Sequence, residues 1–309
     1  MKYAFIARER AHFPLEVLCR LLGVARSGFY DFEQRQAAPD ADATVRRDLR
    51  ACHQASRGTY GRPRLVKDLR DLGHRVGPKR VARMMREEGL RGRSKGRVRP
   101  RTTDSGHARP VAENLLARRF EISSPVSAWV SDITYLETRE GWLYLAVVLS
   151  VQTRQVLGYS LAERMPDELV ERTFLNAWHR KPTGTGVLFH SDRGSQYASG
   201  AFRRTIGSLG FVQSMSRKGN CWDNAVAESF FATLERELLN RRTFKSQVEA
   251  RMAVFRWIEG WYNTRRRHSA IGRRSPVNFE RSHEEAEKRR ASAAFGGRPQ
   301  LGCTMETIE

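Results

Sequence analysis

Apolar residues recur at helical spacing near the start of the chain. Leu15, Leu18, Leu22 and Val24, followed by Ser27 and Tyr30, predict two short helices around a turn at Gly23. Across residues 1–36 this pattern fits an ordinary helical hairpin and a helix-turn-helix equally well, the latter with Arg26 and Ser27 opening its second helix. Residues 37–43 (Ala-Ala-Pro-Asp-Ala-Asp-Ala) read as a linker. A second helical unit covers residues 44–90. In it Leu65 to Arg70 are followed by a turn at Leu72-Gly73-His74 and then by an inner stripe of Val81, Met84 and Met85. Lys79, Arg80, Arg83 and Arg86 lie largely outside that stripe.

From about Asn114 the period changes. Trp129 to Leu136 alternate apolar and polar and are rich in β-branched and aromatic residues, which predicts a strand. Trp142 to Val151 and Gln155 to Leu161 are two more strands, parted by a polar turn at Gln152-Thr153-Arg154. Pro166 to Arg180 reads as a helix, and Val187-Leu188-Phe189, bounded by glycines, as a short buried strand. A helix near Ala198–Leu209 and a strand over Phe211–Met215 follow. A helix free of Gly and Pro then runs to about Asn240, with Asp223 as its expected cap. Three meandering strands followed by strand–helix alternation predict an α/β fold on a mixed sheet. Ser246 to Thr264 is helical again, and Trp257, Trp261 and Tyr262 are expected to pack it on the core.

The length, 309 residues, is enough for one large domain or two to three small ones. The formal charge of +21 favours a polyanionic partner, nucleic acid ahead of a membrane. No apolar run approaches a spanning helix, so a cytoplasmic, nucleoid-associated protein is expected. Cys19, Cys52, Cys221 and Cys303 are scattered, which argues against a disulfide framework or a zinc knuckle. Residues 91–101 carry Arg91, Arg93, Lys95, Arg97, Arg99 and Arg101 and no acid, so residues 91–113 read as a basic linker. Such an arm gains affinity by displacing counterions from phosphates and carries no sequence information. The charged, then Gly-rich residues 281–309 read as a mobile tail.

Three carboxylates change the picture. Asp132 lies in the first strand, on the opposite face from Ile133; alone it would be an ordinary solvated residue. Asp192 falls just past the carboxyl end of the short strand, in His190-Ser191-Asp192-Arg193-Gly194-Ser195-Gln196-Tyr197. Glu228 lies in Asn220-Cys221-Trp222-Asp223-Asn224-Ala225-Val226-Ala227-Glu228-Ser229-Phe230-Phe231, on one helix face with Asn224. Together with the segment Trp261 to His268, these stretches resemble the second-frame (OrfB-type) transposases of the insertion-sequence-three family, which are retroviral-integrase-like DDE recombinases. The thirty-five residues between Asp192 and Glu228 match that family's spacing.

The resemblance implies a ribonuclease-H-like catalytic core over residues 114–280, with C-terminal helices and a mixed five-stranded sheet, preceded by helix-turn-helix DNA binding in residues 44–90. It makes Asp132, Asp192 and Glu228 the catalytic and metal-holding residues. Phosphodiester transfer must stabilise an attacking oxygen, a leaving oxygen and a charged phosphoryl group. Two Mg²⁺ ions held by carboxylates do this, with Mn²⁺ able to substitute. Asn224 is expected to position a water or ligand beside Glu228, and His190 to take a supporting or a core role rather than bind metal. Lys79, Arg80 and Arg83, the basic arm, Arg236 and the run Arg265-Arg266-Arg267 are expected on DNA phosphates.

The implied activity is cleavage at the terminal inverted repeats of the chain's own element and transfer of the freed 3′-hydroxyls into target DNA. A homo-oligomer and an upstream-frame protein, joined by frameshifting, are the implied partners. The alternatives are a catalytically decayed protein that only occupies element ends, and a metal-dependent nuclease without transfer. Two positions depart from the family pattern. Glu235 stands where a basic residue contacts the ends, with Arg236 beside it, and Ser150 stands where an Asp is usual.

Overall fold

The computed structural model describes residues 1–37, 42–93, 109–119, 127–217 and 221–295. Helices α1 (Lys2–Glu9), α2 (Leu15–Leu22) and α3 (Arg26–Ala37) close a small core of Ile6, Leu18, Cys19 and Phe29. Gly23 ends α2 at φ +60°, a left-handed cap that glycine adopts without strain. The two helices expected around it are present. Helix α1 is an addition, and with one buried residue, Ile6, it leaves no periodic signal to read.

Helices α4 (Ala43–Ala55), α5 (Arg62–Asp71) and α6 (Pro78–Glu87) form the second helical unit. The last two each carry a proline in their first turn, where its missing N–H costs nothing. Val45, Leu49, Leu65, Leu69, Val81 and Met84 are buried between them.

The core sheet contains β1 (Ala128–Thr138), β2 (Gly141–Ser150), β3 (Val156–Ala162), β4 (Leu188–Ser191) and β5 (Val212–Met215), in the order β3-β2-β1-β4-β5. The first three strands meander antiparallel, while β4 and β5 join β1 in parallel. β2 is apolar along both faces because both are covered. Helices α9 (Ala225–Glu237) and α10 (Gln247–Trp257), prolonged by a π turn over Ile258–Tyr262, cover the face bearing Val130, Val147 and Leu188. Helices α7 (Asp167–Arg180) and α8 (Gly200–Ser208) cover the face bearing Trp129, Val148 and Phe189. Any Cβ on Gly158 would sit 2.4 Å from the Thr173 carbonyl oxygen, so α7 lies against β3 more closely than another residue would permit.

Three boundaries differ from the sequence reading. Contacts with the core start ahead of Asn114, since Arg109 Nη1 donates to the Ser195 carbonyl at 2.7 Å and Ala112 N–H donates to Met215 Sδ at 3.4 Å. At the other end of the expected linker, Arg93 N–H donates to the Thr59 carbonyl at 3.3 Å. The expected mobile tail is helical as far as the structure describes it, α11 running Pro276–Phe295. Residues 296–309 lie outside the described residues.

One hydrophobic cluster runs from the second helical unit into the core, and the Tyr60 and Trp261 rings lie 5.6 Å apart across that junction. No helix among the described residues is long and apolar enough to cross a membrane.

Candidate active site

Strand register brings two carboxylates level. β1 and β4 run parallel with Val130 opposite His190, so two residues further on Asp132 draws level with Asp192, just past the end of β4. Neighbouring strands lie about 4.8 Å apart. Side chains alternate between faces, and Asp132 is opposite Val147, which belongs to the face under α9. Glu228 stands half-buried in the first turn of α9. The three carboxylates therefore share one side of the sheet.

Backbone amides orient the two aspartates. Ile133 N–H donates to Asp132 Oδ1 at 2.8 Å, and Gly194 N–H donates to Asp192 Oδ1 at 3.0 Å. A Cβ on Gly194 would lie 3.1 Å from that same Oδ1, so glycine keeps the carboxylate uncrowded. Behind the pair is Tyr197, fully buried on the opposite face. Burial first, then the charges of Asp192 and Asp132, hold its hydroxyl well above the usual phenol range. Tyr197 thus keeps its proton. The Ser131 hydroxyl donates to the Val147 carbonyl at 2.8 Å, which leaves Tyr197 to donate to Ser131 Oγ, also at 2.8 Å. The sequence motif contained Tyr197 but gave no sign of this role.

The start of α9 is anchored to β1. Asn224 Nδ2 donates to the Ser131 carbonyl at 3.2 Å, one residue before Asp132, and fixes the turn that precedes Glu228. Asp223, expected to cap the helix, does something else. Its buried carboxylate accepts from the backbone and side chain of Arg217, from Arg118 and from Asn114. These partners, Arg217 first, hold its carboxyl well below the usual range against the opposing pull of burial. The cap position belongs to Asn224, whose side chain makes no capping bond.

His190 takes the core position that was one of its two expected roles. It is buried between the hydroxyls of Ser214 and Ser216, at 2.8 and 3.1 Å, and burial pushes it down to about 4, so it is neutral at neutral pH. Ser150, opposite Trp129 on the α7 side of the sheet, accepts from Thr153 N–H to close the β2–β3 turn. The family's usual Asp at this position would thus face away from the three carboxylates.

The donors suit a hard divalent cation. All are oxygens, and the buried Asn224 Oδ1, one turn before Glu228, has no hydrogen-bond partner among the described residues. Among the described residues no three Asp, Glu, His or Cys side chains already stand close enough to form a metal site.

The expected DNA contacts divide. Arg266 is buried, its Nε donating to Glu237 Oε1 at 2.9 Å, and Trp261 Nε1 donates to the other oxygen at 3.0 Å. Arg267 reaches back to α5, donating to Asp68 at 2.5 Å and Asp71 at 2.6 Å, while its own N–H donates to the Tyr60 hydroxyl at 2.7 Å. These two arginines hold the molecule together, which corrects the expectation that they lie on DNA. Arg80 and Arg83 both pair with Asp42. Lys79, Arg91, Arg93 and Arg265 are exposed and Arg236 is half-buried. Lys95, Arg97, Arg99 and Arg101 lie outside the described residues.

Residues 123–221 match the Integrase core domain family, residues 209–276 match a second Integrase core domain family, and residues 39–98 match the HTH-like domain family. The Transposase InsF for insertion sequence IS3A of Escherichia coli (strain K12) is 40% identical over 91% of this chain and 98% of its own length. An uncharacterized 31 kDa protein of insertion element IS600 from Shigella sonnei is also 40% identical, over 87% of this chain and its own entire length. Among solved structures, the catalytic core domain of BIV integrase overlaps 52% of this chain and 97% of its own at 18% identity, with a TM-score of 0.39.

Proposed function

The chain belongs to the InsF transposases of the IS3 family, with an integrase core on a ribonuclease-H-like sheet and an HTH-like domain, and on that premise we propose that Asp132, Asp192 and Glu228 catalyse cleavage and strand transfer at the ends of its element. What supports this most is the β1–β4 register, which levels Asp132 with Asp192 beneath the helix that carries Glu228.

In the first step a water oxygen attacks the phosphorus at the element end and the 3′-oxygen leaves, taking up a proton as a 3′-hydroxyl. In the second, that 3′-oxygen attacks a target phosphorus. A target 3′-oxygen leaves and the proton is passed on, so each step breaks one P–O bond and makes one. Two Mg²⁺ ions, or Mn²⁺, bound by the three carboxylates would activate the attacking oxygen and neutralise the leaving one. The chain's own part is placement. Gly194 and Ile133 N–H groups orient the aspartates, and Asn224 ties the Glu228 helix to β1. The HTH-like unit binds the terminal inverted repeats, the active complex is a homo-oligomer, and an upstream-frame protein joined to the chain by frameshifting is a partner.

Asp132→Asn, Asp192→Asn and Glu228→Gln should each lower strand cleavage of a labelled element-end duplex by at least about 10²–10³-fold, the scale of losing one transition-state stabiliser. Duplex binding should be retained. Near wild-type cleavage by any of the three would sink the assignment.

A further inference from the structure

A cleft of about 940 Å³ opens where the second helical unit meets the core. The helical unit contributes Arg62 and Arg64 at the start of α5, and Arg86 near the end of α6. Arg91 and Arg93 follow just beyond, and the core adds Arg236 from α9 and Arg273 from the loop before α11. No carboxylate among the described residues lines it. Elsewhere in the molecule Arg80, Arg83, Arg266 and Arg267 each have an acidic partner. Concentrating seven like charges in one concavity destabilises the free protein unless a polyanion fills it.

The cleft is also shaped to stay formed. Residues 91–93 are pinned beside α5, because Arg93 N–H bonds the Thr59 carbonyl and a Cβ on Gly92 would lie 2.6 Å from Gly61 Cα. Only glycine fits that approach, which holds Arg91 and Arg93 at the rim. Helix α5 begins here at Gly61 without any side-chain cap, leaving a helix N-terminus facing the concavity. Burial, then Arg266, push Arg64 down to about 10, so it remains charged at neutral pH while stacking over the Tyr60 ring.

We propose that this cleft is a phosphate site that grips the backbone of the DNA end about three to four base pairs inside the cut. The position follows from α9. Arg236 lies eight residues beyond Glu228, about 12 Å along the helix axis, and duplex DNA rises about 3.4 Å per base pair. One helix thus carries a catalytic carboxylate at its start and an arm of the grip near its end. The proposal rests on the reading of Asp132, Asp192 and Glu228 given above, and it adds a second site that sets how far the duplex enters.

The test uses the full chain with a labelled duplex bearing the terminal repeat that flanks its coding region, and a random duplex of equal length. Arg62→Gln, Arg86→Gln and Arg273→Gln, combined, remove three exposed charges from the cleft. Arg204→Gln, Arg256→Gln and Arg281→Gln, combined, remove three exposed charges elsewhere. The cleft variant should weaken binding to both duplexes and flatten log K against log salt by about 2.7, at about 0.9 per lost phosphate contact, while the second triple changes little. Neutral methylphosphonates three to four base pairs inside the cut should weaken wild-type binding and have little further effect on the cleft variant. An unchanged slope, an equal loss in both triples, or methylphosphonate effects equal in wild type and cleft variant would each overturn the site. Asp192→Asn, run alongside, separates the two claims. Wild-type cleavage by that variant defeats the carboxylate reading and with it the stated distance from the cut, whereas failure of the salt and methylphosphonate arms defeats the cleft and leaves the carboxylate reading standing.

Discussion

Two sets of arginines in this chain look alike in sequence and behave in opposite ways. In the run Arg265-Arg266-Arg267, Arg266 is 3% exposed and locked to Glu237, and Arg267 clamps Asp68 and Asp71 of the helical unit. In the cleft, Arg62, Arg86 and Arg273 stand exposed with no carboxylate among the described lining. The difference lies in partners distant in the chain. A buried arginine must be neutralised, so its acid is part of the fold; an exposed one without an acid is available to an external anion. Density of positive charge along a sequence therefore does not identify a DNA contact. What sets the cleft apart is several arginines gathered in one concavity with no carboxylate among its described lining.

The largest effect should come from breaking the buried pair. Arg266→Met leaves Glu237 with Trp261 Nε1 as its remaining donor among the described residues and should destabilise the fold by about 3–5 kcal/mol, measured by denaturant unfolding. The double variant Arg266→Met, Glu237→Met should recover most of that loss, because the desolvation penalty goes with the pair. If Arg266→Met instead left stability intact and flattened the salt dependence of DNA binding, Arg266 would belong with the cleft and the division would fail.

Arg267 tests the junction. Burial pulls the Arg267 pKa down, and the hydrogen bonds and charges of Asp68 and Asp71 more than reverse it. Burial first, and the charge of Asp71, hold the Asp68 carboxyl above its ordinary value against the pull of Arg267. Arg267→Ala should cost about 1–3 kcal/mol, the penalty for a part-buried acid left without its donor. It should also let the helical unit exchange backbone hydrogens independently of the sheet. Exchange in α5 unchanged from wild type would show that Arg267 is not the clamp.

Much of the placement of the three carboxylates was legible because strands and helices are periodic. Alternation placed Asp132 opposite to Ile133, the short apolar run placed Asp192 at a strand end, and the helix placed Asn224 and Glu228 on one face. Pairings between distant residues were not legible. Glu237 lies 29 residues from Arg266, and Asp68 lies 199 residues from Arg267; no local pattern encodes either. Asp223 failed as a cap for the same reason, since its partners Arg118 and Asn114 come from a segment 105 and 109 residues away. α1 and the far end of α11 bury too little to reveal a helical period.

Asp223 is an intermediate case, a buried acid whose arginine partners are about half exposed. Its folded carboxyl is held below the ordinary value, so the stabilisation is present above about pH 4 and is lost as pH falls from there through the folded value. Thermal unfolding of wild type should therefore weaken steeply below about pH 4, and Asp223→Asn should remove part of that acid dependence. The variant should also slow cleavage at neutral pH, because the network precedes the turn that carries Asn224 and Glu228. Acid curves that superimpose for the two proteins would show that the network contributes no pH-dependent stability.

The smallest expected effect concerns Glu235, where the two sets of charges come closest on one helix. At about 100° per residue, Glu235 points within about 20° of Glu228, whereas Arg236 is turned about 80° away. Arg236 lines the cleft, and burial pulls its pKa down while leaving it half accessible. The helix thus presents an acid toward the catalytic side and a base toward the cleft. Phosphates entering along the Glu228 face would be repelled by Glu235 and attracted by a lysine in its place. Because the position is half-open to solvent, the change should be about 0.2–1 kcal/mol and should fade as salt rises. Glu235→Lys should accordingly raise end binding and strand transfer modestly at low salt, and Arg236→Ala should lower both. If Glu235→Lys lowered transfer and Arg236→Ala left it unchanged, the duplex would not follow α9 from the cleft to the carboxylates, and Arg236 would have to be counted among the arginines that serve the fold.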